Sequence, residues 1–222
     1  MICVNECYNM DCADGMREML EQGMRADWLI TDPPYGIGWT KMTGGGDNLA
    51  RTRDYGKGEW DNQRIGEECF RLMFEVSDKQ LIFGGNYYTD LLPATKSWCV
   101  WDKRCDDNNR NDFADCELAW VSEGVARVFR YLYQGMLQGD MRNKDVRFHP
   151  TQKPTRLWEK ILNFYTREND LILDPFAGSQ SLRVACYKTG RRYIGFEIDK
   201  DYYEKGCRWY NDVTSQISIF EL

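Results

Sequence analysis

The chain has 222 residues, 42% of them hydrophobic and 14% aromatic, which suits one domain with a single sizeable core and is too little for two large ones. No run approaches the roughly 18 apolar residues of a membrane span, and the opening MICVNECYNMD lacks the basic and apolar regions of a signal peptide, so a cytoplasmic protein is expected. The net charge of -6 argues against a polyanionic partner only on average. Between Arg127 and Lys160 eight basic residues face three acidic ones, with Phe129, Tyr131, Tyr133 and Phe148 interleaved, a pattern that suits a nucleic-acid face or a solvated charged surface.

In chain order, the periodicity predicts a helix over 15–22, a strand over 28–31, a helix over 62–77, strands over 80–83 and 98–101, alternating strands over 116–121 and 125–133, and a helix over 154–165. A strand over 171–173, a helix over 180–189, a strand over 193–196 and a helix over 200–212 follow. Ser179 and Asp199 are the expected caps of the last two helices, and Gly190 the expected stop of the first of them. Short apolar runs alternating with amphipathic stretches are the signature of an α/β domain. Two stretches interrupt it, a Gly-rich segment over 36–60 and a shorter one over 135–145, both read as mobile loops. Nine scattered cysteines without a CxxC pair, and a lone histidine, His149, supply no zinc site and no disulfide framework; no metal is expected.

Three motifs carry chemistry. Asp32-Pro33-Pro34-Tyr35 follows the apolar strand directly, and two prolines can continue neither a sheet nor an ordinary helix. The strand end is therefore rigid, with a carboxylate and an aromatic ring beside unpaired carbonyls, where open α/β sheets hold ligands. Asp174-Pro175-Phe176-Ala177-Gly178-Ser179 also joins a strand to a helix, and its small residues let a ligand approach the backbone and the helix amides. About 20 residues on, Glu197 ends the next strand, the spacing at which an acid accepts hydrogen bonds from ribose hydroxyls, so an adenosine-containing cofactor is expected. His149-Pro150-Thr151-Gln152-Lys153-Pro154 is a rigid polar segment before a helix, and its Lys153 is a cation delivered near the glycine turn.

DPPY, HPTQKP and DPFAGS in that order resemble the permuted, beta-group DNA amino-methyltransferases of the adenine-N6 type. IFGGNYY (82–88), WCVWDK (98–103) and DFADCELAW (112–120) resemble segments of small phage or prophage methylases and extend the likeness through nearly the whole chain. The resemblance implies a single Rossmann-like domain with a mostly parallel seven-stranded sheet, one reversed strand and circularly permuted motifs. It implies a catalytic half over 1–103 with a mobile loop over 38–60, a short target-recognition region over 104–148, and a cofactor half over 149–222.

It further implies transfer of a methyl group from S-adenosylmethionine to the N6 amine of an adenine flipped out of double-stranded DNA, as in restriction-modification systems. Asp32, Pro33, Pro34 and Tyr35 would hold the base. Asp11, Cys12, Lys153, Asp174, Phe176, Gly178, Ser179 and Glu197 would hold the cofactor, with Lys153 near its methionine end. Lys41, Arg51, Arg53, Arg110, Arg127, Arg130, Arg142, Lys144 and Arg147 would contact DNA. The short recognition region implies a short target or help from a second copy, since such relatives often dimerise. Cytosine-N4 and RNA adenine are the alternative substrates. Gln180 departs from the family's usual glycine after Gly178-Ser179, and that departure is the only support for a further alternative, a catalytically silent nucleic-acid-binding module.

Overall fold

A computed structural model describes residues 1–37, 64–105, 114–134, 137–142 and 144–217. Its sheet is built from β1 (Glu6–Tyr8), β2 (Ala26–Thr31), β3 (Ser77–Phe83), β4 (Trp98–Asp102), β5 (Cys116–Val121), β6 (Arg127–Arg130), β9 (Leu171–Asp174) and β10 (Arg192–Phe196), while β7 (Tyr133–Gln134) and β8 (Leu137–Gln138) form a separate hairpin. The helices are α1 (Cys12–Glu21), α2 (Glu67–Glu75), α3 (Thr155–Tyr165), α4 (Ser181–Lys188) and α5 (Lys200–Ile217).

The strand order is β1-β10-β9-β2-β3-β5-β4-β6, eight strands rather than the expected seven, because β6 adds in parallel to the outer side of β4. Among the described residues only β5 is reversed; it lies antiparallel to β3 on one side and to β4 on the other. Two layers of helix cover the sheet, as a buried parallel sheet requires. Alternate residues along β2 sort onto its two faces: Trp28 and Ile30 join Leu157, Trp158 and Ile161 of α3 and Leu182 and Ala185 of α4. Leu29 instead joins Met16 and Met19 of α1 and Phe70 and Met73 of α2. Among the described residues no helix is long and apolar enough to cross a membrane.

The boundaries depart from the sequence pattern where local chemistry overrides it. The helix expected over 62–77 is confined to Glu67–Glu75 among the described residues, and Ser77 already begins β3. The strand expected over 125–133 splits into β6 and β7. Asp199 caps α5 as expected, its Oδ1 accepting from the amides of Asp201 and Tyr202 at 2.9 and 3.0 Å. Ser179 does not cap α4. That position falls to Gln180, held left-handed at φ 60°.

Candidate active site

β10, β9 and β2 are parallel neighbours, so their carboxyl ends share one edge of the sheet. That edge brings together Glu197, Asp174 and Asp32, which the sequence separates widely. Asp32 leaves β2 into the two prolines, and Tyr88 donates its hydroxyl to the Pro34 carbonyl, pinning the turn to the short helical turn after β3. The Tyr35 hydroxyl donates to Asp32 Oδ1 at 2.5 Å. Its ring stacks on Tyr87, centroids 4.8 Å apart and planes 17° from parallel. Gly84, left-handed at φ +67°, lets the ring lie against the backbone, since a Cβ there would overlap Tyr35.

Lys153 is 4% exposed and forms an ion pair with Asp32 Oδ2 and a second, at 3.1 Å, with Glu117 Oε2. Glu117 Oε1 also accepts from Lys103 at 3.1 Å. Burial pushes the Asp32 pKa up, with Lys153 opposing and Glu117 reinforcing the rise, while the two carboxylates hold the Lys153 ammonium charged against its own desolvation. Lys153 was expected at the methionine end of a cofactor. Here its ammonium pairs with Asp32 and Glu117. Elsewhere in the hexapeptide, His149 packs on the Tyr202 ring at 4.3 Å and stands 3.5 Å from the point where a Gly178 Cβ would be. Burial lowers the His149 pKa to about 3, so the ring is neutral.

In the glycine turn, Asp174 Oδ1 accepts from Thr31 Oγ1 at 2.7 Å and from the Phe176 amide at 3.3 Å. Glu197 Oε2 accepts from the Gly178 amide at 2.7 Å and Oε1 from the Asp199 amide at 2.8 Å. Burial raises both carboxyls to about 7. Ser179 is buried in the same turn and Phe176 is half-buried. Asp11 caps α1 by accepting from the Ala13 amide at 2.8 Å, and the Cys12 sulfur lies 3.9 Å from that of Cys69.

Gln180, the departure from the usual glycine, turns its side chain away from this turn. Its Nε2 donates to the Tyr203 carbonyl at 3.0 Å, its Oε1 accepts from Arg183 Nη1 at 3.0 Å, and Gly206 makes the room by lacking a Cβ. The one feature that favoured a silent module thus places no bulk from Gln180 in the turn.

Among the basic candidates, Arg127, Arg142 and Lys144 are exposed, and Arg130 is 68% exposed with Asp102 at 3.3 Å. Arg147 donates to the Pro150 carbonyl at 2.5 Å and lies over the Tyr133 ring. Lys41, Arg51, Arg53 and Arg110 fall outside the described residues. Sequence reasoning missed Glu117, Lys103, Tyr87 and Tyr88. Glu117 carries a readable signal only in hindsight, as an acid inside the otherwise apolar strand CELAWV.

Residues 86–207 match a family model described as DNA methylase. YubD of Escherichia coli (strain K12), named as a methylase, is 45% identical over 200 residues, 83% of this chain and 81% of that protein. The DNA adenine methyltransferase YhdJ of the same organism is 42% identical over 74 residues, 33% of this chain and 25% of YhdJ. Of the solved structures, that of the M1.HpyAVI–SAM complex is similar at a TM-score of 0.59 with 22% identity, covering 91% of this chain and 98% of that one.

Proposed function

The chain belongs to the DNA methylase family, and on that premise we propose that it transfers a methyl group from S-adenosylmethionine to the N6 amine of an adenine flipped out of double-stranded DNA. The observation that carries the proposal is a half-buried carboxylate, Asp32, fixed between a tyrosine hydroxyl and a lysine at the carboxyl edge of the sheet, one strand from a glycine turn. Adenine N6 is a poor nucleophile because its lone pair is delocalised into the ring. Acceptors on both amino hydrogens, Asp32 and the Pro33 carbonyl, favour the pyramidal amine that attacks. Tyr35 supplies the stacking face, which Tyr87 covers in this structure. Pro34 holds the geometry through Tyr88.

The residues of the other half suit the cofactor. Glu197 presents a carboxylate fixed by two amides, the chemistry that ribose hydroxyls require, and Gly178 at φ +50° keeps the turn free of a Cβ. Phe176, Gly178, Ser179 and Glu197 are the proposed contacts, with Asp11 and Cys12 bordering the adenine and Asp174 bracing the turn through Thr31. When bound, the cofactor supplies an activated sulfonium methyl group, so no metal and no covalent enzyme intermediate is needed. The chain's own contribution is then alignment and electrostatics.

The continuous sheet supports a single domain, with a catalytic half over 1–103, a recognition region over 104–148 and a cofactor half over 149–222. Exposed Arg127, Arg130, Arg142 and Lys144, with Arg147, are proposed to meet phosphates, together with Lys41, Arg51, Arg53 and Arg110. A homodimer is proposed as well, supported by the shortness of the recognition region. The test is incorporation of labelled methyl from S-adenosylmethionine into unmethylated DNA. Cofactor binding without incorporation would refute the proposal.

A further inference from the structure

We infer that Glu117 is a positioning residue for the methyl transfer, taking over Lys153 when the target amine engages Asp32. The inference rests on the reading of Asp32 as the acceptor of that amine. Lys153, 4% exposed, is compensated by Asp32 from the end of β2, Glu117 from β5, and the face of Phe83, 4.5 Å from the ammonium. Glu117 in turn holds Lys103. The result is a ladder of alternating sign, Asp32, Lys153, Glu117, Lys103, that closes without net charge.

In this arrangement both oxygens of Asp32 are engaged, Oδ1 by Tyr35 and Oδ2 by Lys153. An incoming amine that donates to Asp32 competes with both. The ammonium can leave Asp32 only if a second carboxylate is waiting, because a buried, unpaired cation is strongly unfavourable. Asp174, the other acid near Asp32, is committed to Thr31 and the Phe176 amide. Glu117 already touches Lys153, so a small rotation of the lysine exchanges partners with no unpaired state between. The topology explains the placement. β5 runs opposite to its neighbours, so its second residue, Glu117, lies at the edge where β2 and β3 end; Glu117 pairs with Trp101, next to the end of β4.

The test compares kcat, KM for DNA, KM for S-adenosylmethionine and the pH profile of kcat for wild type, Glu117→Gln, Glu117→Asp and Lys153→Met with and without Glu117→Gln. Glu117→Gln is expected to lower kcat at least 30-fold with KM for S-adenosylmethionine within threefold. The acid limb of kcat should move to lower pH, because among the groups facing Asp32 (Tyr35, Lys153, Asp174 and Glu117) the Glu117 charge raises its pKa. In the Lys153→Met background Glu117→Gln should change kcat less than threefold, since it acts through Lys153. An unchanged kcat, an unmoved acid limb, or an equally deep loss in the Lys153→Met background would overturn the inference. Should Glu117→Gln fail to fold, Glu117→Asp keeps the charge and is expected within tenfold of wild-type kcat with the wild-type limb; a shifted limb would again overturn it. A wild-type protein without turnover would instead refute the reading of Asp32 on which the inference stands.

Discussion

Replacing Gln180 by glycine restores the residue usual for the family and relieves a left-handed side chain at φ 60°, yet it should destabilise the protein. Relief of the backbone strain is worth about 1–2 kcal/mol. Against it stand the charge-assisted hydrogen bond from Arg183, about 1.5–3 kcal/mol, and the bond to the Tyr203 carbonyl, about 1 kcal/mol. Two buried methylenes add about 0.8 kcal/mol each in a side chain with no exposed surface. The losses exceed the relief by about 3 kcal/mol. Urea unfolding followed by circular dichroism should place the variant's midpoint about 1 M below wild type, for a slope of about 2–3 kcal/mol/M. Affinity for S-adenosylmethionine should be little changed, because the side chain points away from the turn. A variant as stable as wild type would show that the network around Arg183 and Tyr203 does not hold Gln180 in place.

Asp32→Ala should leave cofactor affinity within a few-fold by titration calorimetry while cutting methyl incorporation about 10²–10³-fold, the loss expected for a preorganised acceptor. Gly84→Ala drives a methyl group into the Tyr35 ring and should lower kcat at least about tenfold, read by the same incorporation assay, with cofactor binding intact. Burial raises the Asp174 pKa to about 7, far above that of an unfolded aspartate, so the fold favours its protonated form. Its contribution to stability is present below about pH 4 and is lost as pH rises to about 7. Asp174→Asn removes that loss. Urea unfolding at pH 5 and pH 8 should show the variant gaining on wild type between the two, by no more than about 3 kcal/mol, since about two pH units of the shift lie in that window at about 1.36 kcal/mol each; an identical gap at both would refute the assignment.

Much of this architecture is legible in the chain because the motifs sit at strand ends. Pro33 and Pro34 mark where β2 must stop, and the distance from the glycine turn to Glu197 is one helix and one strand. The edge strand β1 has three residues with only Cys7 fully buried, too short for a period to show. β3 opens with Ser77, Asp78 and Lys79, so the preceding helix reads as running on into it. At Gln180 the backbone turns left-handed, a demand that sequence assigns to glycine, and only tertiary packing reveals what holds a glutamine there. Glu117 does not read as a site residue because its partner Lys153 is far along the chain, and Lys103 joins the site only through Glu117. The reversed strand that joins them cannot be inferred from local pattern. The same topology sets Lys153, expected as a cofactor contact, beside Asp32.

The most direct measurement incubates the protein with S-adenosylmethionine and unmethylated DNA, digests the DNA to nucleosides and separates N6-methyladenine from N4-methylcytosine by mass spectrometry, with Asp32→Ala alongside. N6-methyladenine from wild type, with little or none from the variant, is the predicted result. N4-methylcytosine, or N6-methyladenine at equal rates from both proteins, would contradict the account.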